Sequence, residues 1–444
     1  MSAEPRILKT EAEQQLAEQY RALRDGLPGP AAATLRRDTA IASFEKAGLP
    51  HRRVEAWKYT DLRALMRKAL PVAPQPSAEA AAAALGANDV LKAVDRYRLV
   101  IADGFFQEAL SDRAALLAEG VEVATLTEFL GFDNSHVLGI LDAPHGSGDD
   151  AMIALNTALA SDGVVVLVPP DRTISKPIEI VHLAATPETA AATRSAVRIG
   201  ANAKLTLYVT RAGAGAHHGN HLVGIAAAEG ARVKMVDVQA GGAESEDIMT
   251  FSARAAAGAE FDHLAVVTGA RISRLQGFVM IEGEGARFGA HGANMLRGKA
   301  HGDIALVIEH AAAHATSRVL YKNVADGEAM GAFQGRIVVQ PGAQKTDGKM
   351  LTNSLLLSDT AEFAAKPELE IYADDVQCGH GATTGQFDET MLFYLLSRGI
   401  PRPEAEAMLL QSFLAAAVEA MGDEGVTAAI EPIVAAWLGG RGIS

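Results

Sequence analysis

A glycine–alanine pair recurs at a near-fixed spacing through the middle of the chain and limits the folds open to it. The pairs begin GANAKL at Gly200, GARV at Gly230, GAEF at Gly258 and GARF at Gly285, at intervals of 30, 28 and 27 residues. Short β-rich runs lie between them. A tight corner followed by a strand at a fixed period is what a stacked β-solenoid requires. We therefore predict a solenoid. The alternatives are that the fold is a sandwich or barrel, or that the repeat arises by chance in a chain with 42 glycines.

Helical sequence flanks the β-rich part of the chain on both sides. No amphipathic stretch of helical length interrupts the short apolar runs between about 163 and 378, which argues against a doubly wound βαβ sheet. The helix-forming segments are 8–26, 31–47, 388–399, 403–422 and 426–438. We predict a mostly β protein with an N-terminal helical region (1–70), a mixed connector (71–160), a solenoid core (161–385) and a C-terminal helical region (386–444).

The composition narrows the possible partners and compartments. Apolar residues make up 49% of the chain and charged residues 21%, as in a foldable globular protein. The net charge of -14 argues against nucleic acid as a partner, because phosphate binding needs clustered Lys and Arg. One cysteine allows no internal disulfide, and the polar start MSAEPRILKTEAEQQ has no apolar signal core. The apolar runs of the chain, such as GVVVLV at 163–168, are far shorter than the roughly 20 residues needed to span a bilayer. We expect a cytoplasmic protein without membrane contact.

Two glycine-rich stretches and one acidic pair are weak candidates for a site. GAGAHHG (213–219) and GEGARFG (283–289) are one residue longer than the dinucleotide fingerprint, and neither opens a helix in a βαβ unit. Asp374 and Asp375 are adjacent, so on a strand they would point to opposite faces and could not act as a carboxylate pair. We therefore expect no nucleotide hydrolysis by this chain. We expect Asp374 and Asp375 to be solvated or cap-forming side chains.

Two histidine clusters are candidates for metal binding. His217, His218 and His221 lie in AHHGNHL, and His310 and His314 lie in EHAAAH. A four-residue spacing suits a helical metal site, but on a strand such positions are about 13 Å apart. We expect both clusters to be polar side chains on coil surfaces, with adventitious metal binding left open for the first.

The only cysteine lies two positions from a histidine, in the glycine-rich stretch QCGHG. On a strand, Cys378 and His380 would face the same way with Cα atoms about 6.6 Å apart. Gly379 and Gly381 would let another backbone approach closely. A thiolate beside an imidazole is a soft pair suited to iron or zinc. A cysteine nucleophile would need a third, orienting group, and a small buried thiol beside an incidental histidine is the remaining interpretation.

The sequence around Cys378 resembles a known family. LEIYADDVQCGHGATTGQFDETMLFYLLSRGI (369–400) and FQGRIVVQPGAQKTDGKMLTNSLLLSD (333–359) resemble the C-terminal signature of the SufB/SufD family, subunits of the SUF iron–sulfur cluster assembly machinery. EAWKYTDL (55–62) resembles the N-terminal stretch of the family's SufD branch, and the single cysteine agrees with that branch. The likeness is looser over 70–190.

This resemblance implies a fold, a set of partners and a site. The fold would be a right-handed parallel β-helix between helical regions, in a non-catalytic scaffold complex with SufB and two copies of the ATPase SufC. His380 would lie at the SufB–SufD interface where the nascent cluster forms, with Cys378 at a position where the family often has cysteine. The C-terminal helices would dock SufC through Phe393, Tyr394 and Leu395. A flavin is implied for the complex, although the chain shows no flavin motif, and a homodimer without SufB stays open.

The number of available ligands favours a site shared between subunits. An iron–sulfur cluster takes about four ligands, mostly thiolates, and this chain offers at most two, Cys378 and His380. We therefore expect a cysteine-bearing partner to complete the set. Two alternatives stay open: a structural adaptor that holds the ATPase without touching the cluster, and a β-helix carbohydrate enzyme. The second is disfavoured by an aromatic content of 5% and by the lack of an acid pair.

Overall fold

The computed structural model describes residues 9–132 and 135–440, which fold mainly into strands. The α-helices are α1 (Glu11–Leu23), α2 (Ala31–Ala47), α3 (Leu62–Leu65), α4 (Ala78–Asn88), α5 (Arg113–Ala118), α6 (Leu126–Leu130), α7 (Ala151–Leu159), α8 (Glu389–Ser397), α9 (Arg402–Glu419) and α10 (Glu424–Gly439). Short 3-10 helices span Arg24–Gly26, Glu55–Trp57, Glu108–Leu110 and Ser135–Leu141. None of these helices combines the length and apolar character needed to cross a membrane.

The strands run through the whole middle of the chain. They are β1 (Tyr97–Ala102), β2 (Phe105–Phe106), β3 (Glu122–Thr125), β4 (Val164–Val168), β5 (Ile178–Ala184), β6 (Thr189–Ile199), β7 (Lys204–Gly213), β8 (His217–Ala227), β9 (Arg232–Gly241), β10 (Glu246–Ala255), β11 (Glu260–Val267), β12 (Ile272–Ile281), β13 (Arg287–Leu296), β14 (His301–His310), β15 (Thr316–Ala325), β16 (Met330–Val339), β17 (Asp347–Leu356), β18 (Glu362–Ile371) and β19 (Gln377–Gly385).

Successive strands alternate between two sheets, so the chain winds as a solenoid of about eight coils. The odd sheet holds β2, β1 and then the odd-numbered strands from β5 to β19, and the even sheet holds β3, β4 and the even-numbered strands to β18. Pairing is parallel except for β1 with β2 and β3 with β4 at the beginning. The prediction of a mostly β solenoid between helical regions is confirmed.

One corner of the coils is formed by residues with left-handed backbone, at intervals of 27 to 31 residues: Asp171, Asn202, Gly230, Gly258, Gly285, His314 and Lys345. Each donates its N–H to a carbonyl at the same corner of the next coil. The structure therefore confirms the predicted repeat, but the residue predicted for its first corner was wrong. Asn202, not Gly200, occupies the corner, and a Cβ on Gly200 would lie 2.4 Å from the nitrogen of Pro170. Close backbone contact explains that glycine.

Three layers of apolar packing hold the two sheets and their helices together. Inward side chains of both sheets form the main core. The N-terminal helices pack on the outer face of the even sheet, where Ile248 and Ile272 are buried against them. Helices α9 and α10 pack on the outer face of the odd sheet over Tyr208, Val236 and Leu264. Helices of the N-terminal part thus cover part of the even sheet, and α9 and α10, with α4 at the first coils, cover part of the odd sheet.

The EAWKYTDL stretch anchors the N-terminal region to the even sheet. The Trp57 ring lies 3.8 Å from the guanidinium carbon of Arg274, and its Nε1 donates to Asp150 at the start of α7, 2.8 Å away. Arg274 is fully buried and ion-paired with Asp303, which also accepts a hydrogen bond from Thr60. This motif therefore has a structural role in joining the two parts of the chain.

Candidate functional site

Strand β19 ends the odd sheet at the open end of the solenoid. It pairs in parallel with β17, which places Cys378 opposite Gly348 and His380 opposite Met350. Within residues 9–132 and 135–440, no strand pairs with the other edge of β19, and β18 ends the even sheet in the same way. The N–H and C=O groups along these two edges are therefore free to pair with another strand.

Cys378 and His380 project from the same face of β19, the face turned toward the interior. Residues in the same register rows on earlier coils belong to the main core, Phe288 in the row of Cys378 and Met350 in the row of His380. The thiol packs against this core and is half-buried, whereas His380 is exposed because β19 is the last strand of the odd sheet in the described part of the chain. The prediction that both side chains share one face is confirmed.

The surroundings of Cys378 keep its thiol protonated. Burial raises the pKa of Cys378, and the negative charge of Asp347 acts in the same direction, while a hydrogen bond with the backbone of Gly348 opposes them. A metal ion binds the thiolate and not the thiol, so metal binding here would release a proton. The site therefore favours the neutral thiol until a cation arrives.

The open end of the solenoid offers too few donors for a closed metal site. In the part of the chain that the structure describes, no group of three or more His, Cys, Asp or Glu side chains is arranged to hold a metal ion. Cys378 and His380 supply one sulfur and one imidazole nitrogen at the open end. These two donors are fewer than the roughly four ligands that zinc or an iron–sulfur cluster takes.

The two histidine clusters lie elsewhere and are more buried than expected. His221 is inside the solenoid, stacked on His182 with ring centroids 4.3 Å apart and hydrogen-bonded to Thr193 at 2.8 Å. His310 is fully buried and hydrogen-bonded to the Ser317 hydroxyl, and burial lowers the pKa of His310 to about 4. The surface placement predicted for these two residues was wrong, because their strand positions face inward.

The other members of the clusters are explained by the backbone. His314 forms a left-handed corner of the solenoid, so it does not lie on the strand of His310. His217 and His218 begin β8 and are partly buried. Burial lowers the pKa of His218 to about 4, which keeps the imidazole neutral at pH 7.

A buried ionic network near His221 had no signal in the sequence. Arg211 donates to Asp237 at 2.6 Å and to Asp247 at 2.5 Å, and all three side chains are inside the solenoid. They come from β7, β9 and β10, which are separated along the chain. Burial raises the pKa of Asp237, an effect that the guanidinium of Arg211 opposes. The winding of the chain between two facing sheets, which no local pattern encodes, brings these groups together.

The remaining candidates from the sequence lie in or beside turns. Asp374 and Asp375 are exposed in a bend between β18 and β19, and Asp375 forms an ion pair with Lys345. Their placement on a strand was wrong, but their interpretation as solvated acids is confirmed. Residues 213–219 connect β7 to β8, and 283–289 lead into β13. Neither stretch opens a helix, as expected.

Helix α8, which follows β19 in the chain, exposes several large apolar side chains around its surface. Phe393 is 71% exposed and Tyr394 54% exposed, while Leu395 is partly covered and Leu392 is buried. Met391, which was not singled out from the sequence, is 57% exposed beside them. Large apolar side chains left in solvent at this density mark a surface for protein contact.

Comparison with known proteins gives matches along nearly the whole chain. The family "SUF system FeS cluster assembly, SufBD core domain" matches residues 182–413, and "SufBD protein N-terminal region" matches residues 10–180. The iron–sulfur cluster assembly protein SufD of Escherichia coli is 30% identical over 417 residues, covering 86% of this chain and 87% of that protein. The SufBD family protein slr0076 of Synechocystis is 28% identical over 82% of each chain. SufD of Bacillus subtilis is 39% identical over 108 residues, 24% of this chain and 25% of that protein.

Proposed function

The chain belongs to the SufBD family of iron–sulfur cluster assembly proteins, and we propose that it is a non-catalytic scaffold subunit supplying part of a cluster-assembly site. The observation that carries this proposal is the placement of Cys378 and His380 together on the unpaired final strand β19. The cluster is the cargo of such a site: it is built there and then passed on.

The two donors of this chain require a partner for a complete cluster. Clusters are held by about four ligands, mostly thiolates, so Cys378 and His380 would form one half of the set. A half-buried thiol beside an exposed imidazole suits this role, because both donors can reach a molecule docked across the open end. The partner in this proposal is a SufB-type subunit that contributes the missing cysteines.

The edges of β18 and β19 explain how that partner could be positioned. Strand addition to a sheet edge uses backbone hydrogen bonds and fixes the register of facing side chains. A partner strand along β19 would therefore place its own donors beside Cys378 and His380. A second copy of this chain could use the same edges when the SufB-type subunit is absent.

The exposed face of α8 is the proposed docking site for an ATPase of the SufC type. Phe393, Tyr394 and Leu395 would be the apolar contacts, and ATP hydrolysis would take place in the partner. Motion of that partner, transmitted through α8 and α9, would open or close the interface between β19 and the SufB-type subunit. This assembly would work in the cytoplasm, and any flavin in it would bind outside the motifs of this chain.

Anaerobic co-purification tests the shared site. The chain is expressed alone and together with SufB-type and SufC-type subunits, and iron, sulfide and visible absorption are measured. The chain alone should bind little iron and the complex substantially more. His380→Ala should lower the iron content of an intact complex, whereas the matched control Thr384→Ala, on the same face of the same strand, should not. Stoichiometric iron on the isolated chain would overturn the proposal.

The same experiment separates the alternatives. If His380→Ala leaves the cluster yield of the complex unchanged, the chain is an adaptor that holds the ATPase away from the cluster. A β-helix carbohydrate enzyme would instead degrade polygalacturonate, which the scaffold should leave intact.

A further inference from the structure

The outer face of the odd sheet carries an apolar row that extends beyond the helices covering it. Over the early coils this row consists of Tyr208, Val236 and Leu264, which are buried under α9 and α10. The next member, on β13, is the buried His291, whose pKa burial lowers to about 4, and after it the row is apolar again at Leu320 on β15 and Leu351 on β17. Leu320 is half-buried and Leu351 is 41% exposed. The helix-packing face of the sheet therefore continues past the end of α9, which borders it at Ala420, and Leu351 is left exposed there.

Basic side chains border these two leucines. Arg318 and Lys349 occupy the neighbouring row and are both exposed. On the other side lies Lys322, whose ammonium is 4.8 Å from the ring centroid of Phe413 on α9. Asp347 forms an ion pair with Arg318 and lies 3.9 Å from Lys349, so it offsets part of this charge. A basic surface remains on a chain whose net charge is -14.

The two outward positions of β19 next to Lys349 and Leu351 are glycines, with Gln377 and Thr383 on either side of them. Gly381 follows Leu351 in the same row, and Gly379 follows Lys349. A Cβ on Gly379 would meet nothing within 4 Å, and one on Gly381 would meet only the Leu351 side chain, at 3.3 Å. A packed element can therefore approach this backbone closely. We call Leu320, Leu351, Arg318, Lys349, Gly379 and Gly381 the apolar–basic patch.

We propose that the apolar–basic patch binds an amphipathic helix of a partner subunit, apolar on one face and acidic along its flank. Helices α9 and α10 already pack on this face of the sheet, so a partner helix would continue the same layer. Carboxylates on its flank would pair with Arg318 and Lys349. This inference rests on the proposed function in that the partner belongs to the same assembly, and it adds a contact on the outer face of the strand whose inner face carries Cys378 and His380.

Photo-crosslinking in the reconstituted complex tests the patch. A benzophenone amino acid at position 351 should crosslink to a partner segment with apolar residues at helical spacing and adjacent acidic residues. The same probe at Leu117, an exposed leucine on α5, should give no such product. The double reversal Arg318→Glu with Lys349→Glu should weaken the complex roughly tenfold, because two exposed ion pairs become repulsive. The control reversal Arg254→Glu with Lys299→Glu, at exposed basic residues elsewhere, should change the affinity little.

Two sets of outcomes keep this inference separate from the proposed function. No crosslink from position 351, or a crosslink only to a second copy of this chain or to a basic segment, overturns the docking of an acidic helix even if the complex still binds iron. If the crosslink is retained and His380→Ala does not change the iron content of the complex, the shared cluster site is overturned. The docking of a partner helix on the apolar–basic patch is then still supported.

Discussion

The buried imidazole of His263 should make the protein lose stability in mild acid. This side chain lies on β11, is fully buried and stacks on Phe251 with ring centroids 4.3 Å apart. Burial lowers the pKa of His263 to about 3, and the nearby His291 and Arg211 act in the same direction. Protonation of His263 in the folded protein is therefore strongly disfavoured.

The size of the effect follows from proton linkage. An unfolded histidine has a pKa of about 6.5, so between that value and about 3 the unfolded chain binds more protons than the folded one. The free energy of unfolding therefore falls as the pH falls through this window. For a single group with these two pKa values, the loss between pH 7 and pH 5 is about 2 kcal/mol.

The substitution His263→Met tests this value. Methionine is the residue that precedes His263 in the same inward row, at Met235. Urea denaturation at pH 7 and at pH 5, followed by circular dichroism, gives the free energy of unfolding at each pH. The variant should lose about 2 kcal/mol less than the wild type between the two pH values. The control Met235→Leu repacks the same row without removing a titrating group and should keep the wild-type difference.

An equal loss in the wild type and in His263→Met would refute the reasoning. It would mean that the buried imidazole takes up protons as readily in the folded chain as in the unfolded one. A lower stability of the variant at pH 7 would not rescue the prediction, because the comparison is the change between two pH values.

Three further predictions follow from the packing and the exposed surfaces. Arg274→Met should cost about 3–5 kcal/mol of unfolding free energy, because it leaves Asp303 buried without its ion pair. The double variant Arg274→Met with Asp303→Leu should recover most of this loss, and equal urea midpoints for the single and double variants would contradict this prediction. Gly258→Val should cost about 1–2 kcal/mol at its left-handed corner, whereas Asn202→Gly should stay near the wild-type midpoint. Phe393→Asp should weaken titration binding of the ATPase partner roughly tenfold without moving the unfolding midpoint, since this ring is in solvent; unchanged binding would remove α8 from the interface.

The period of the solenoid could be predicted because left-handed corners favour glycine. Gly230, Gly258 and Gly285 therefore revealed the coil length. Asn202 and His314 occupy equivalent corners without glycine, so the sequence revealed fewer coils than the structure has. Asparagine and histidine tolerate this conformation well enough to be used there, and sequence alone does not mark them.

The shared face of Cys378 and His380 could be predicted from strand geometry alone, since positions two apart point the same way. Their different exposure could not, because it depends on β19 being the last strand of the odd sheet. The burial of His221 and the pairing of Arg211 with Asp247 were missed for a related reason. Both depend on which rows of neighbouring coils face inward, and that is decided by the register of strands far apart in the sequence.

The most direct measurement of the central claim is pulsed electron paramagnetic resonance on a reduced cluster in the assembled complex. Only this chain would be labelled with nitrogen-15 histidine, and the partner subunits would be unlabelled. The account predicts a nitrogen-15 hyperfine coupling to the cluster that disappears in His380→Ala while the complex stays intact. A wild-type complex that holds its cluster without any coupling to this chain's histidines would contradict the claim that the site is shared through His380.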